Sequence, residues 1–321
     1  MKLLVTGGTG FFGRALLRKW IDDEKNGTSL PEVTVLTRSP ESFLVSYPEF
    51  FGKEWLSFHK GNILDYTSLP HNKRFTHILH GATESTIGAS LQALQRYDEI
   101  VNGTRNILDY AVKINVKRIL LTSSGGVYGP QPQTLREIPE SHLGIPDPLN
   151  PMSAYSMGKR AAEHLCCLYN DRHGLESTIA RCFSFVGRDL PLTAHFAIGN
   201  FIHDALHNNN IMVSGDGNPV RSYLDQRDLA IWLCSILMSA PAGAVYNVGS
   251  DDRVSIRDLA HLVRDILSPN KPIKFAGDTN LYQGRNIYVP DISRAKSELG
   301  LRVSISLRQS IGEFIKMRSY N

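Results

Sequence analysis

Tyr155 and Lys159 are the residues of this chain whose types and spacing point most directly to chemistry. They stand four apart in NPMSAYSMGKRAAEHL, and on a helix that spacing puts both on one face. A phenol with its ordinary pKa of about 10 is a poor base at neutral pH. A lysine ammonium beside it favours the phenolate. Such a phenol can take or give the proton of an alcohol while a hydride moves to or from a nicotinamide. Upstream, RILLTSSGGVYG carries Ser123 and Ser124 to the C-terminal end of an apolar strand, the end where open α/β sheets bind ligands. Ser124 can hydrogen-bond the same oxygen that Tyr155 serves.

A dinucleotide cradle stands at the other end of this half of the chain. LLVTGGTGFFGRALLRKW places Gly7, Gly10 and Gly13 between a buried strand and a helix. Glycines let the backbone turn sharply and approach a pyrophosphate, and the helix N-terminus offers unpaired N–H groups to it. Thr9, Phe11 and Phe12 lie in the same loop and are counted with it. The second strand ends VTVLTRSP, with Thr37, Arg38 and Ser39 where an NAD site usually has an acid for the ribose 2′-hydroxyl. Arg38 suits a 2′-phosphate, so NADP is expected, with NAD as the alternative.

The elements that must position these groups are legible as alternating patterns. Strand-like runs occur at Leu3 to Thr6, Val33 to Thr37, His77 to His80, Arg118 to Thr122 and Ser177 to Cys182. Helical stretches lie between them, at Phe12 to Ile21, Leu91 to Asn115 and Tyr155 to Asp171. This rhythm predicts a parallel sheet covered on both faces. Beyond about residue 185 the loops lengthen and Gly, Asn and Pro cluster at Gly215 to Pro219. Helices are expected at Gln226 to Ser239, Ser255 to Leu267, Arg294 to Leu299 and Leu307 to Arg318. The expected division is a dinucleotide-binding domain at 1–184, carrying the Ser-Tyr-Lys set, and a substrate lobe mainly at 185–321. Strands such as Ala244 to Val248 could return to the main sheet.

Bulk properties exclude several classes. The 321 residues are 42% hydrophobic and 21% charged, an ordinary globular balance with ample core. A net charge of +4 gives no basic stripe, so no nucleic-acid partner is expected. Cys166, Cys167, Cys182 and Cys234 form no C-x-x-C pair, which suits reduced thiols inside a cell. The chain opens on a strand rather than a leader, and no run of apolar residues is long enough to span a membrane. A cytoplasmic protein without membrane or metal is the expectation.

The chain resembles the extended short-chain dehydrogenases/reductases, in the NAD(P)-dependent sugar-nucleotide epimerase/dehydratase group. The resemblance runs through GGTGFFG, GNILD (61–65), HGAT (80–83), VNGTRN (101–106), SSGGVYG (123–129) and YSMGK (155–159). It continues through RCFSFVG (181–187), GDGNPVRSYLDQRDLA (215–230), YNVGS (246–250) and VPDISRAKSELG (289–300). It implies a Rossmann-like, doubly wound parallel sheet with a smaller C-terminal substrate-binding lobe. It implies Asn62 and Ile63 beside the adenine, although the family more often has Asp at the Asn62 position. Ala82, Thr83, Asn102 and Ser123 would contact the cofactor, with Tyr155 and Lys159. Ser124 and Gly125 would meet the substrate, a nucleotide-diphosphate sugar. Arg221 would pair with its diphosphate, and Ser184 stands where the family often has Asn. A homodimer packed through the helices around Leu91 to Asn115 and Tyr155 to Asp171 is also implied.

The group contains several chemistries. In related 4,6-dehydratases an Asp–Glu pair follows the strand-end serine or threonine and removes water. Here Gly125 and Gly126 follow Ser124 and carry no acid or base. That leaves reduction of a nucleotide-linked 4-keto-6-deoxyhexose, favoured by Arg38, and 4-epimerisation with a retained cofactor as the alternative. A regulator that senses the cofactor without chemistry would typically lose Tyr or Lys, and both are present. His203 and His207 share a helical spacing but lack a third ligand, so they read as a polar face. His80 reads as a packed or hydrogen-bonded histidine, Trp232, Leu233 and Ile236 as helix core, and Lys117 and Arg118 as solvated surface.

Overall fold

The computed structural model describes residues 1–83, 92–194, 196–277 and 286–318. They form two compact units that interleave along the chain. One comprises Met1–Ser124, Pro148–Arg181 and Ala230–Tyr246; the other comprises Gly125–Asp147, Cys182–Leu229 and the chain from Asn247 onward.

The first unit is built on strands β1 (Lys2–Thr6), β2 (Glu32–Thr37), β3 (Leu56–Lys60), β4 (His77–His80), β5 (Arg118–Ser124) and β6 (Glu176–Cys182). The strand Val245–Val248 joins them. The seven-stranded order is Val245–Val248, β6, β5, β4, β1, β2, β3. β1 runs parallel to β2 and β4, β2 to β3, and β4 to β5. The expected α/β architecture is therefore present. Its strands are near-continuous apolar runs, as a sheet covered on both faces demands: Leu3, Leu4, Val33, Val35, Ile78, Ile119 and Leu120 are all fully buried. β1 lies between β4 and β2, so the order reverses there, which opens a crevice at the carboxyl ends of β1 and β4.

Helices α1 (Phe11–Lys25), α2 (Pro40–Ser46), α3 (Ala93–Lys113) and α4 (Ala154–His173) flank this sheet. α1 runs four residues past Ile21, because Asp22, Asp23, Glu24 and Lys25 continue its polar side and Lys19 pairs with Asp23 one turn on. α3 begins at Ala93; Leu91, where the sequence pattern starts it, lies outside the described residues. α3 and α4 pack closely on each other, with Gly158 against Ile100. β3 has no counterpart in the sequence reading. Its LSFHK carries polar residues at alternate positions because it is the sheet edge, and its Ser57 hydroxyl bonds Thr34 of β2.

Arg118 corrects the sequence reading, which placed it in solvent. Its guanidinium is mostly buried, holds Glu176 with two nitrogens (2.6 and 3.0 Å) and donates to the carbonyls of Leu237, Met238 and Ala240. Those carbonyls end the helix Gln226–Ser239, where a cation meets the negative end of the dipole. Arg118→Ala is expected to cost about 2 kcal/mol of stability, read from denaturant unfolding. A change below about 0.5 kcal/mol would return Arg118 to the surface class.

The second unit is held by short pairings and buried polar hubs. Val220–Arg221 pairs antiparallel with Val254–Ser255 and parallel with Ile287–Tyr288. Ile211–Val213 pairs parallel with Ile273–Phe275, and Phe185–Val186 with Leu224–Asp225. The helices here are Ala197–His207, Ile256–Leu267, Ser293–Leu299 and Leu307–Arg318. The Asn247 side chain accepts from the Tyr128 hydroxyl (2.8 Å) and donates to the carbonyls of Ile138 and Asp291. Buried Asp225 accepts from Arg227 and the Ser310 hydroxyl, and Asp228 accepts from the N–H groups of Ser304 and Ile305. His203 and His207 lie on Ala197–His207 with ring centroids 5.0 Å apart.

All four cysteines are free thiols. Burial pushes the Cys166 and Cys234 thiols up to about 12, while Cys167 is exposed on α4. Trp232, Leu233 and Ile236 are buried. Among the described residues no group of three or more His, Cys, Asp or Glu could hold a metal, and no helix is long and apolar enough to cross a membrane.

Candidate active site

The glycine loop follows β1 directly, and its shape depends on missing side chains. Gly7 has φ +73°, and a Cβ there would lie 2.6 Å from the Gly81 carbonyl carbon and oxygen. A Cβ at Gly13 would lie 2.2 Å from the Gly8 backbone. The Gly10 N–H donates to the Gly7 carbonyl (3.1 Å), and Gly10 caps α1, whose first turn carries no acid. The positive end of α1 therefore faces the crevice without a built-in counter-charge, an arrangement that fits a pyrophosphate. Thr9 carries the Arg14 guanidinium on its carbonyl, and the Phe11 and Phe12 rings lie 6.0 Å apart. Arg38 is exposed just past the end of β2.

The floor of the crevice is the segment after β4. The Ala82 N–H donates to Thr6 Oγ1 (3.2 Å), and the same hydroxyl is hydrogen-bonded to His80 Nδ1 (2.7 Å). On its other side, His80 Nε2 is hydrogen-bonded to Thr104 Oγ1 (3.2 Å). Burial lowers the His80 pKa to about 3, with Lys159 adding to the effect. His80 is thus a neutral connector joining β1, β4 and α3. This is the packed, hydrogen-bonded histidine expected from sequence.

Lys159 is buried on α4. Its ammonium donates to Thr83 Oγ1 (2.7 Å) and to the Thr122 carbonyl of β5 (2.8 Å). The Thr83 hydroxyl in turn donates to the Ala82 carbonyl (2.7 Å). Tyr155 stands one turn before Lys159 on the same helix, half-buried. Ser124 ends β5 and is buried. The structure thus gathers Thr83, Lys159 and the end of β5 beside the glycine loop.

Other residues singled out from sequence hold defined places in the first unit. Ser123 turns its hydroxyl onto α4, donating to Glu163. Glu163 also takes the Arg181 guanidinium (2.7 Å). Asn62 closes an Asx turn after β3, accepting from the Leu64 N–H, and the Ile63 side chain fills the space left by Gly103 of α3. Asn102 is exposed on α3. In the second unit, Gly125 lies under an aromatic pair. A Cβ there would meet the Phe183 ring and the Tyr288 hydroxyl at 2.7 Å, and those rings lie 4.6 Å apart. The Ser184 carbonyl accepts from the Leu224 N–H, and Arg221 sits in the strand Val220–Arg221.

Three groups escape the sequence reading. Glu163 follows Lys159 by four residues on the same helix, a spacing that could have revealed it. Arg96 of α3 places its guanidinium over the Tyr155 ring, 5.6 Å from the centroid, and nothing in the sequence links the two. Tyr288 reaches Gly125 only through the tertiary fold.

The family profile described as NAD dependent epimerase/dehydratase matches residues 3–249. UDP-glucuronic acid decarboxylase 3 of Arabidopsis thaliana is 30% identical over 97% of this chain and 87% of its own length. A dTDP-glucose 4,6-dehydratase of Streptomyces venezuelae, solved with NAD bound, superposes with TM-score 0.84 at 26% identity, covering 100% of this chain and 98% of that one. UDP-glucose 4-epimerase of Thermotoga maritima gives the same TM-score at 21% identity over 100% of this chain and 99% of that one, a likeness of fold. With the glycine cradle and the Tyr155–Lys159 helix in place, these matches make the chain a member of the NAD dependent epimerase/dehydratase family.

Proposed function

We propose that this chain transfers a hydride at C4 of a sugar carried on a nucleotide diphosphate, using Ser124, Tyr155 and Lys159. The observation that carries this reading is the buried Lys159 ammonium, anchored to Thr83 Oγ1 and the Thr122 carbonyl one turn from Tyr155. Anchored there, the ammonium favours the phenolate of Tyr155. Tyr155 then exchanges a proton with the C4 oxygen, and the Ser124 hydroxyl holds that oxygen. Gly7, Gly10, Gly13, Thr9, Phe11 and Phe12 would hold the dinucleotide, with Asn62, Ile63, Ala82, Thr83, Asn102 and Ser123. When bound, the nicotinamide supplies the hydride-exchanging carbon. Arg221 and Ser184 are assigned to the substrate. The first unit serves as the dinucleotide unit and the second mainly as the substrate unit.

The favoured direction is reduction of a 4-keto-6-deoxyhexose. Gly125 and Gly126 speak against dehydration because neither carries an acid or base, and a side chain at Gly125 would have to displace the tips of Phe183 and Tyr288. Arg38 supports NADP: a 2′-phosphate on its guanidinium would favour NADP over NAD by about tenfold, or about 1.4 kcal/mol. Kinship with the decarboxylases favours a second reading, transient oxidation at C4 with return of the hydride. That cycle epimerises C4, or, on a uronic acid, yields a β-keto acid that loses carbon dioxide. A homodimer through α3 and α4 is proposed as well, supported by exposed Leu94 and Leu168 on those helices.

Incubation with a panel of nucleotide 4-keto-6-deoxyhexoses and NADPH is expected to consume the NADPH, and NADP is expected to give a KM about tenfold below that of NAD. Nucleotide sugars converted to epimers, or to pentoses, without net cofactor change would establish the second reading. A preference for NAD would remove the assigned role of Arg38.

A further inference from the structure

We infer that Arg96 is a second cation acting on the Tyr155 phenol, an electrostatic positioning residue beside Lys159; this rests on the role proposed above for Tyr155. Arg96 lies in the first turn of α3, where a helix dipole disfavours positive charge and where no acid offsets it. Its guanidinium nonetheless turns to the Tyr155 ring, 5.6 Å from the centroid. Its Nε is fully buried with no hydrogen-bond partner among the described residues. A buried, unpartnered N–H is costly to keep, and a charged one more so. The ring face offsets part of that cost through a cation–π contact. When Tyr155 loses its proton, the ring gains a full negative charge, and the attraction rises accordingly.

The remaining charges around this pair do not cancel it. Lys159, one turn along α4 from Tyr155, is the same sign as Arg96. His80, at the end of β4, stays neutral down to a pH of about 3. Glu163, two turns along α4, is tied to Arg181 and Ser123. Glu99, one turn along α3, takes the Gln95 side-chain amide. Two cations therefore act on one phenol, and Glu99, whose partner Gln95 is neutral, is the carboxylate among these groups that keeps its charge. Lys159 is held by fixed hydrogen bonds to the backbone and Thr83, whereas Arg96 approaches the ring face, so each can be altered without removing the other's contacts.

The test is an ultraviolet titration of tyrosinate, taken as the difference between each protein and its Tyr155→Phe counterpart. It needs no substrate. The wild-type midpoint is expected below the free-phenol value of about 10. Arg96→Met is expected to raise that midpoint by about one pH unit, and Arg96→Lys to restore most of the difference. Arg96→Gln serves if the Met variant does not melt cooperatively. The acid limb of the kcat/KM profile should shift by the same amount, with dinucleotide affinity unchanged. A lowered wild-type midpoint that neither Arg96→Met nor Arg96→Gln moves would overturn the role of Arg96 alone. A wild-type midpoint at the free-phenol value would overturn both this inference and the Tyr155–Lys159 reading.

Discussion

Tyr155→Phe is expected to lower kcat by about 100- to 10,000-fold while leaving dinucleotide affinity within about twofold, because general acid–base groups contribute on that scale. The substitution removes one oxygen and keeps the ring. Arg96 keeps its aromatic face, α4 keeps its packing, and Lys159 keeps its bonds to Thr83 and the Thr122 carbonyl. What disappears is the group that exchanges a proton with the sugar oxygen. The loss should fall on kcat and kcat/KM together, the pattern of an interaction made in the transition state. Steady-state kinetics on whichever nucleotide sugar is turned over, paired with a binding titration of the cofactor, gives both numbers. Turnover equal to wild type would remove Tyr155 from the mechanism.

Gly13→Ala should act on the other half of the site, with a comparably large effect on binding. The added methyl would sit 2.2 Å from the Cα, carbonyl carbon and oxygen of Gly8, a distance no side-chain rotation can relieve. Either the loop or the start of α1 must move, and the N–H groups at the helix terminus lose their aim. A loss of about 100-fold in dinucleotide affinity is expected, about 2.7 kcal/mol, together with about 1–3 kcal/mol of stability from overpacking. Gly312→Ala is the control: Gly312 is likewise helical, in Leu307–Arg318, and the added carbon meets nothing closer than 3.9 Å, so it tests a helical methyl without the collision. Calorimetric titration with NADP and NAD, and thermal melts of both variants, separate the two effects. Undiminished affinity in Gly13→Ala would show that the cofactor does not lie on this loop.

The parts of the site that sequence revealed are those governed by local geometry. Tyr155 and Lys159 share a helix face by spacing alone, and Gly7 and Gly13 announce a turn that permits no side chain. β1, β2, β4, β5 and β6 were readable because buried parallel strands are apolar along their length. β3 was not, because an edge strand keeps polar residues and LSFHK looks like a loop. Arg118 was misread for a related reason: an arginine preceding a strand looks solvated until the end of another helix, formed more than a hundred residues later, delivers three carbonyls to it. Arg96 and Tyr155 are joined by packing between α3 and α4, and Gly125 and Tyr288 by pairing of distant segments. No periodicity in the chain encodes either contact. Gly125 shows the difference in kind. Sequence gives it as a position without an acid, whereas the structure makes it a position where a side chain would have to displace the tips of Phe183 and Tyr288.

The thiols described above have a practical consequence. Cys166 is buried, Cys234 half-buried and both are hard to ionise, while Cys167 faces outward on the helix that carries Tyr155. A maleimide dye should therefore attach at Cys167 first. Twelve residues of helix place it about 18 Å along the axis from Tyr155. That is close enough for energy transfer from a reduced nicotinamide and far enough to leave the proton-transfer groups untouched. If α4 lies between two copies of the chain, the labelling rate at Cys167 will also fall with protein concentration. One native side chain thus serves as a gauge of both cofactor occupancy and self-association.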